Sequence, residues 1–484
     1  MTNWTINNQD VMEWVAQYQG EPFHALLCDP PYHLTGQHRR LMGRDGQHRE
    51  RNGKGFMGKA WDGGDIAFRP ETWAALAQHL HPGAFLMAFA ASRGWHRQAT
   101  AMEDAGLIIH PTIWRYTTDQ GETFYFDSLE GFENFIATAA ADPGVLQERQ
   151  LGPLGFAFGS GFPKGARVQR DGAPHIDFTG HRYGLQTMKP AVEPIILAQK
   201  PFERRPFDDI TRTGAGALFI DAGRVGDSGG TKASHQGEFK YQGIPGQVHA
   251  TRGYRTGHQV EEIDDGRWPA NLILEDGAAA ALDAQTGILT SGKPVGVRKT
   301  GNRTVYRADP TRIGTPITGY GDSGGASRFF FKVAEQIDLA DPLYYCAKAS
   351  QEERNAGLDH LPKRQKVYNG QSGQSAGLAP GSVEDKFTTQ PAANSHPTVK
   401  PLGLTKYLAT LLLPPSAYAP RRILIPFAGV MSEAIGAMKA GWDEIVAVER
   451  EAEYVTIGKA RMRYWQLKFE GSLFANLDSK KEIA

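Results

Sequence analysis

The chain has 484 residues, long enough for a large core and for two or more domains. Its 53 Lys and Arg balance its 53 Asp and Glu, so bulk charge gives no nucleic-acid signal and charge must be read locally. Two cysteines exclude a disulfide framework, the histidines do not pair with them at zinc-ligand spacing, and the longest strongly apolar run, "AFLMAFAA" at 84–91, is far short of a membrane span.

The opening "MTNWTINNQDVMEW" has no basic stretch followed by an apolar one, so a secretory leader is not expected and a reducing cytoplasm is. "WTINN" reads as a short strand, and residues 10–17 as a helix opening on Asp10. "FHALLCD" is the next strand, and it runs into "DPPY". Proline cannot donate to a ladder, so Pro30 and Pro31 end the pairing. Asp29 and the Pro30 carbonyl are then left at the strand's C-terminal edge, where ligands sit in open α/β sheets. A rigid acceptor pair beside the Tyr32 ring suits a planar group bearing an NH2; a polar turn after a strand is the plainer alternative.

Residues 39–59 follow directly. They carry Arg39, Arg40, Arg44, Arg49, Arg51, Lys54 and Lys59 against Asp45 and Glu50, and are rich in Gly. This is either a solvated basic loop or a phosphate-contacting one. Trp61 and Asp62 read as its anchor. "PETWAALAQHL" is a helix with Pro70 near its start, "GAFLMAFA" a strand, "SRGWHRQATAMEDAG" a helix ended by Gly106, and "LIIHPTIWRY" a strand. This βαβ rhythm predicts a parallel sheet covered by helices on both faces.

From about 117 to 190 the pattern is irregular, with "GPLGFAFGSGFPKGARV" its most distinctive part, before the strand "AVEPIILAQKPF". Residues 203–390 are rich in Gly, Asp and turn signals; "GRWPANLIL" and "LYYCAKAS" are their clearest strands, and "YNGQSGQSAGLAPGSVED" reads as a loop. Order returns near 396. "HPTVKPLGLTKYLATLLLPP" is a turn and a helix, "RRILIPFAG" a strand, "SEAIGAMKAG" a helix with Gly441 just past its end, "DEIVAVERE" a strand and "AEYVTIGKARMRYWQ" a helix. The second strand ends on Glu449, twenty residues after the Gly429 turn. An acid at that spacing can accept from both hydroxyls of a ribose; an ordinary βαβ unit with a solvated Glu449 is the alternative.

Taken together, "DPPY", "HPTVKP", "PFAG" and "AVERE…EYVTIGKARM" resemble the S-adenosylmethionine-dependent DNA amino-methyltransferases, in the permuted β-class order with the catalytic motif first and the cofactor turn last. "GSGFPKG", "MKPAVEPIILAQKP", "GRWPAN" and "YYCAKASQEERNAG" are similar to phage and prophage members of that group. The cofactor turn departs from the usual Asp-Pro-Phe-x-Gly-Ser-Gly-Thr: Ile425 replaces the acid, Val430 and Met431 replace Ser-Gly, and Ser432 stands for Thr.

The resemblance implies a Rossmann-like, doubly wound, mostly parallel α/β sheet of the circularly permuted class I methyltransferase type. Residues 1–202 would form the catalytic half (117–157 an insertion), 203–390 an irregular inserted target-recognition region, 391–470 the cofactor half and 471–484 a tail. It implies adenine-N6 methylation of double-stranded DNA with S-adenosyl-L-methionine, by base flipping and without a metal. Asp29, Pro30, Pro31 and Tyr32 would be catalytic, with Tyr32, Trp114, Arg39 and Arg40 on the DNA. Asp10, Asp29, His396, Thr398, Lys400, Pro426, Phe427, Gly429, Ser432, Glu449 and Arg450 would hold the cofactor. For Asp10 a helix N-cap is equally open, and for Lys400 a plain surface lysine. Cytosine-N4 methylation, methylation of protein glutamine or RNA, and a catalytically silent DNA-binding relative are the rivals. The target sequence, a homodimer and a partner restriction nuclease stay open.

Overall fold

The computed structural model describes residues 2–32, 64–92, 94–110, 154–157, 191–226, 266–290, 323–333, 349–363, 393–396 and 398–469, together with the backbone of short strands between them and of the last helix as far as 481. It divides into two compact units: Met1–His110, Pro153–Phe219 and Val333–Ala484 form the first, Pro111–Gly152 and Ile220–Lys332 the second.

In the first unit the strands are β1 (Asn3–Asn8), β2 (Phe23–Cys28), β3 (Leu80–Phe89), β4 (Ile108–His110), β5 (Leu154–Ala157), β6 (Val192–Gln199), β7 (Arg422–Pro426) and β8 (Glu444–Glu449). Every residue of β2 is buried, as an apolar run interrupted only by His24 and covered on both faces requires. The order is β1-β8-β7-β2-β3-β6, with β4 and β5 both paired to β6. The pairs from β1 through to β3 are parallel, and β6 is antiparallel to β3, β4 and β5. The Rossmann-like, mostly parallel sheet expected from the sequence is therefore present.

The helices are α1 (Val11–Gln17), α2 (Pro70–Gln78), α3 (Trp95–Asp104), α4 (Pro206–Thr213), α5 (Gln351–Asn355), α6 (Leu402–Leu411), α7 (Ser432–Ala440) and α8 (Ala452–Lys481). One face of the sheet, with Leu26, Cys28, Leu86, Ala88, Leu424 and Val446, packs on Val11, Trp14, Trp73, Leu76 and Met102 of α1–α3. Side chains alternate along a strand, so Leu27, Met87, Ile423, Ile425, Ile445 and Ala447 lie on the other face. They are buried too. There α7 and α8 pack on β8, and α6 on α7. Helix starts follow the sequence signals: Pro70 and Pro206 open α2 and α4, and Gly441 closes α7 at φ 95°.

Two long-range pairings position the site. β1 pairs β8 from Asn3↔Glu444 to Asn8↔Glu449, and β2 pairs β7 at Leu26↔Leu424. Successive strands run away from β2 on one side and from β7 on the other. The crevice between β2 and β7 is therefore the switch point at which an open α/β sheet binds ligands.

Some expectations need correction. "LIIHPTIWRY" is two strands: β4 pairs with β6 in the first unit, and Thr112–Thr118 pairs with Thr123–Phe126 and Gly144–Gln150. Residue 111 is a proline, which has no N–H to carry one ladder through. The stretch expected to be irregular from 117 holds those strands and β5. Of "GRWPANLIL" only Leu272–Leu274 is strand, with Arg267 bridged to Val225. The final helix, expected over "AEYVTIGKARMRYWQ", runs to Lys481. The basic segment 39–59, apart from the backbone of Leu41–Met42 and His48–Arg49, lies outside the described residues. So do Trp61, Asp62, "GSGFPKG", most of "LYYCAKAS" and the loop from 368.

In the second unit Leu272–Leu274 pairs in parallel with Phe331–Lys332, and helix Asp276–Thr286 supplies Asp283, whose carboxylate accepts from Ser327 N and Oγ at 2.7 Å each. Arg224 lies 5.5 Å from the Trp268 ring. Among the described residues no helix is long and apolar enough to cross a membrane.

Candidate active site

At the β2/β7 crevice, carrying the Leu26↔Leu424 register forward three residues puts Asp29 level with Phe427. Both line one cavity of about 250 Å³, far above the ~10–15 Å³ that a single water needs. Its walls also include Asp10, Pro30, Pro31, Tyr32, His396, Thr398, Lys400, Gly429, Ser432, Glu433, Glu449 and Arg450. Catalytic and cofactor residues expected from distant parts of the chain thus share one space. Pro426 ends β7 and is not in the lining. Arg39 and Arg40 lie outside the described residues; so does the side chain of Trp114, whose backbone sits in strand Thr112–Thr118.

The turn from β7 into α7 is tight. Phe427 (φ 59°), Gly429 (φ 50°) and Met431 (φ 68°) all take left-handed backbone, which costs a non-glycine residue about 1–2 kcal/mol. A Cβ on Gly429 would stand 3.0 Å from His396 Nε2, so that position takes no side chain without a shift. Ala428 N–H donates to Val448 O at 2.9 Å and Met431 N–H to Ala428 O at 2.7 Å. The fully buried Arg461 of α8 donates through Nη1 to Val430 O at 2.5 Å and to Ser432 Oγ at 3.2 Å.

Glu449, at the end of β8, accepts Gly429 N–H at 2.7 Å through Oε2 and Glu451 N–H at 2.7 Å through Oε1. Burial pushes its carboxyl up to about 7, against the pull of those two N–H groups. Asp10 caps α1: its Oδ1 accepts Met12 N–H at 2.9 Å, while Oδ2 lies 4.0 Å from Arg450. It is both helix cap and cavity wall. His396 is buried against Tyr454, its Nδ1 accepting Thr398 N–H at 3.3 Å. Burial and the neighbouring Arg354 lower it to about 3, so the imidazole is neutral.

The most heavily charged part of the cavity surrounds Asp29. Its Oδ2 lies 3.0 Å from Lys400 Nζ. Its Oδ1 is buried and has no hydrogen-bond partner among the described residues. Lys400 also reaches Glu193 Oε1 at 3.0 Å and Tyr32 OH at 2.8 Å, and that hydroxyl donates to Glu193 at 2.9 Å. Burial raises the Asp29 carboxyl and the Glu193 charge adds to it, while Lys400 pulls it back. Burial alone would lower Lys400, but Asp29 and Glu193 outweigh it and hold the ammonium charged. Glu433, 4% exposed in the first turn of α7, is raised to about 7 by burial and by Asp29.

Sequence reading missed Glu193 and Glu433. Glu193 did leave a signal, an acid and a proline inside the otherwise apolar "AVEPIIL". Glu433 left none, because an acid in a first helical turn is ordinary.

No family model matches this chain, and no curated relative does. Among solved structures it is similar to M1.HpyAVI at 9% identity, over 95% of this chain and 98% of that one, with a TM-score of 0.32. The M1.HpyAVI-SAM complex gives 9%, the same two shares and a TM-score of 0.31. The cytosine-N4-specific PvuII DNA methyltransferase gives 8%, 95% of this chain, 86% of that one and 0.33.

Proposed function

We propose that this chain transfers a methyl group from S-adenosyl-L-methionine to the N6 amine of adenine in DNA, the base being flipped into the Asp29–Tyr32 pocket. The observation that supports this reading is that Asp29, whose buried Oδ1 has no partner among the described residues, lines the same cavity as the Gly429–Glu449 turn. An unpaired buried acceptor is costly unless something donates to it, and an amine hydrogen does so.

The residues present fit the cofactor. The close-approach turn at Gly429, the Glu449 carboxylate and the apolar face of Phe427 would hold its nucleoside, with Asp10, His396, Thr398, Ser432 and Arg450 completing the wall. When bound it supplies a methyl carbon already activated on a positive sulfur. Asp29 Oδ1 and the Pro30 carbonyl accept the two amine hydrogens, which favours a pyramidal nitrogen and frees its lone pair. Tyr32 offers a ring face to the flipped base; stacking worth about 1–3 kcal/mol offsets much of the few kcal/mol of unstacking. The chain's main task is alignment. Residues 203–390, with Arg39 and Arg40, carry target recognition in this reading, and 1–202 and 391–470 the chemistry.

Calorimetric titration with S-adenosyl-L-methionine tests the first half: saturable heat is expected, and its absence supports a silent DNA-binding relative. Mass spectrometry of nucleosides from DNA of expressing cells tests the second. N6-methyladenine is expected, and N4-methylcytosine alone would reject adenine as the target.

A further inference from the structure

We propose that Lys400 and Glu193 are a positioning pair for Asp29: Lys400 holds Oδ2 so that Oδ1 alone is left to accept the substrate amine, and Glu193 keeps the cluster net negative. The catalytic consequence rests on the methyl-transfer reading above; the clamp on Asp29 does not.

An ammonium has three donors and no acceptor. Those of Lys400 have three partners within reach: Asp29 Oδ2 at 3.0 Å, Glu193 Oε1 at 3.0 Å and Tyr32 OH at 2.8 Å. Lys400 lines the cavity, and its Nζ lies within 3.0 Å of both Asp29 and Tyr32 of the DPPY turn. Its charge also sits 4.5 Å from the Phe89 ring centroid and 5.1 Å from that of Tyr32, so packing limits where it can go. Three separate parts of the chain meet here: the end of β2, the start of β6 and the segment before α6.

A buried ion pair is a poor stabiliser, because desolvating two charges commonly cancels their attraction. Lys400 and Asp29 keep side-chain exposures of only 7% and 12%. The cluster is better understood by what it does to Asp29. With Oδ2 held by an ammonium, the carboxylate is restrained from turning, and its other oxygen is left as the acceptor. Lys400 alone would oppose the positive charge that methylation puts on the amine nitrogen. Glu193 reverses that: one cation against Asp29 and Glu193 leaves the group net negative. Tyr32 is fixed by the same contacts, since its hydroxyl accepts from Lys400 and donates to Glu193.

Among the described residues, the groups facing Asp29 are Lys400, Glu193, Tyr32, Cys28 and Glu433. Lys400 lowers the Asp29 pKa and Glu193 raises it. Removing each should therefore move Asp29 in opposite directions, which a merely structural role would not do.

The test titrates full-length protein carrying ¹³Cγ-aspartate by NMR, with the Asp29 signal assigned by its loss in Asp29→Asn. The Asp29 midpoint should rise in Lys400→Met and fall in Glu193→Gln. Transfer of labelled methyl groups to unmethylated genomic duplex DNA should show the acid limb of kcat moving the same two ways. In Lys400→Met kcat should fall roughly 10–100-fold, with the cofactor KM little changed. Should Lys400→Met fail to fold, the near-isosteric Glu193→Gln decides alone: a lowered midpoint supports the clamp. An unmoved Asp29 midpoint in Glu193→Gln overturns it, as does lost activity in both variants with an unmoved acid limb. A wild type that methylates no DNA while the midpoints move as expected overturns the methyl-transfer reading and leaves the clamp standing.

Discussion

The Glu449 carboxylate accepts the Gly429 N–H at 2.7 Å, joining the end of β8 to the turn that leaves β7. A strand-end acid thereby fixes the shape of a loop twenty residues earlier in the chain. Its second oxygen does the same for Glu451 N–H, so one side chain holds two backbone donors in place. Both oxygens keep a further lone pair for a ligand in the cavity that Glu449 lines.

Replacing Glu449 with Ala leaves the buried Gly429 N–H without its acceptor, a loss of about 1–3 kcal/mol. S-adenosyl-L-methionine should then bind roughly 10–100-fold more weakly, since the same change loosens the turn and removes the acceptor proposed for the ribose. Calorimetric titration beside urea unfolding checks both. Unchanged affinity with lowered stability would leave Glu449 a purely structural role.

Asp29→Ala should abolish methyl transfer while cofactor affinity stays within a few-fold of wild type. Oδ1, the acceptor that no described residue pairs, is lost, and the Gly429–Glu449 turn is untouched. Single-turnover transfer and calorimetry separate the two effects. A variant that still methylates would remove Asp29 from the reaction.

Glu433 gives a pH-dependent prediction whose sign is fixed. Its folded-state carboxyl is raised from 4.5 to about 7, so the folded protein binds the proton more tightly than the unfolded chain. That contribution is fully present below about pH 4.5 and is lost as pH rises through about 7. Glu433→Gln stays neutral, so its Tm minus that of wild type should grow from pH 5 to 8. Glu449 titrates over the same range but is present in both proteins and cancels. A constant difference would show that Glu433 is not held protonated.

Met431 stands where the methyltransferase turn that this sequence resembles has glycine, in left-handed backbone, yet is fully buried, with Gly458 of α8 so close that a Cβ there would lie 2.7 Å from Met431 Cγ. Restoring glycine would relieve about 1–2 kcal/mol of strain. It would also lose a packed side chain worth about 2–5 kcal/mol. The lost packing outweighs the relieved strain, so Met431→Gly should destabilise the protein. Thermal unfolding checks the direction, and a raised Tm would mean that strain dominates.

Much of this is legible in the sequence. Short, nearly continuous apolar runs bounded by Pro, Gly or charged residues mark β2, β3, β6, β7 and β8, because strand burial and turn chemistry are local. DPPY, the Gly429 turn and Glu449 can be named because each sits at a strand end, where the physics of the edge is local too. "LIIHPTIWRY" reads wrongly as one strand because only the partners of its two halves, β6 and the strands Thr123–Phe126 and Gly144–Gln150, divide it. Glu193 escapes a sequence reading because nothing near it in the chain needs an acid; its reason for being there is Lys400.

By itself, then, the sequence determined most strands and helices of the first unit and which residue types are chemically fit for a nucleoside and an amine. Tertiary structure alone decided that β2 lies beside β7, that one Asp29 oxygen pairs with Lys400 while the other is buried without a partner among the described residues, and that Lys400 faces the DPPY turn. Secondary structure follows from forces acting over a few residues. The charge and orientation of Asp29 follow from groups far away in sequence, Lys400 among them at 3.0 Å, brought together by a mostly parallel sheet whose order no local pattern encodes.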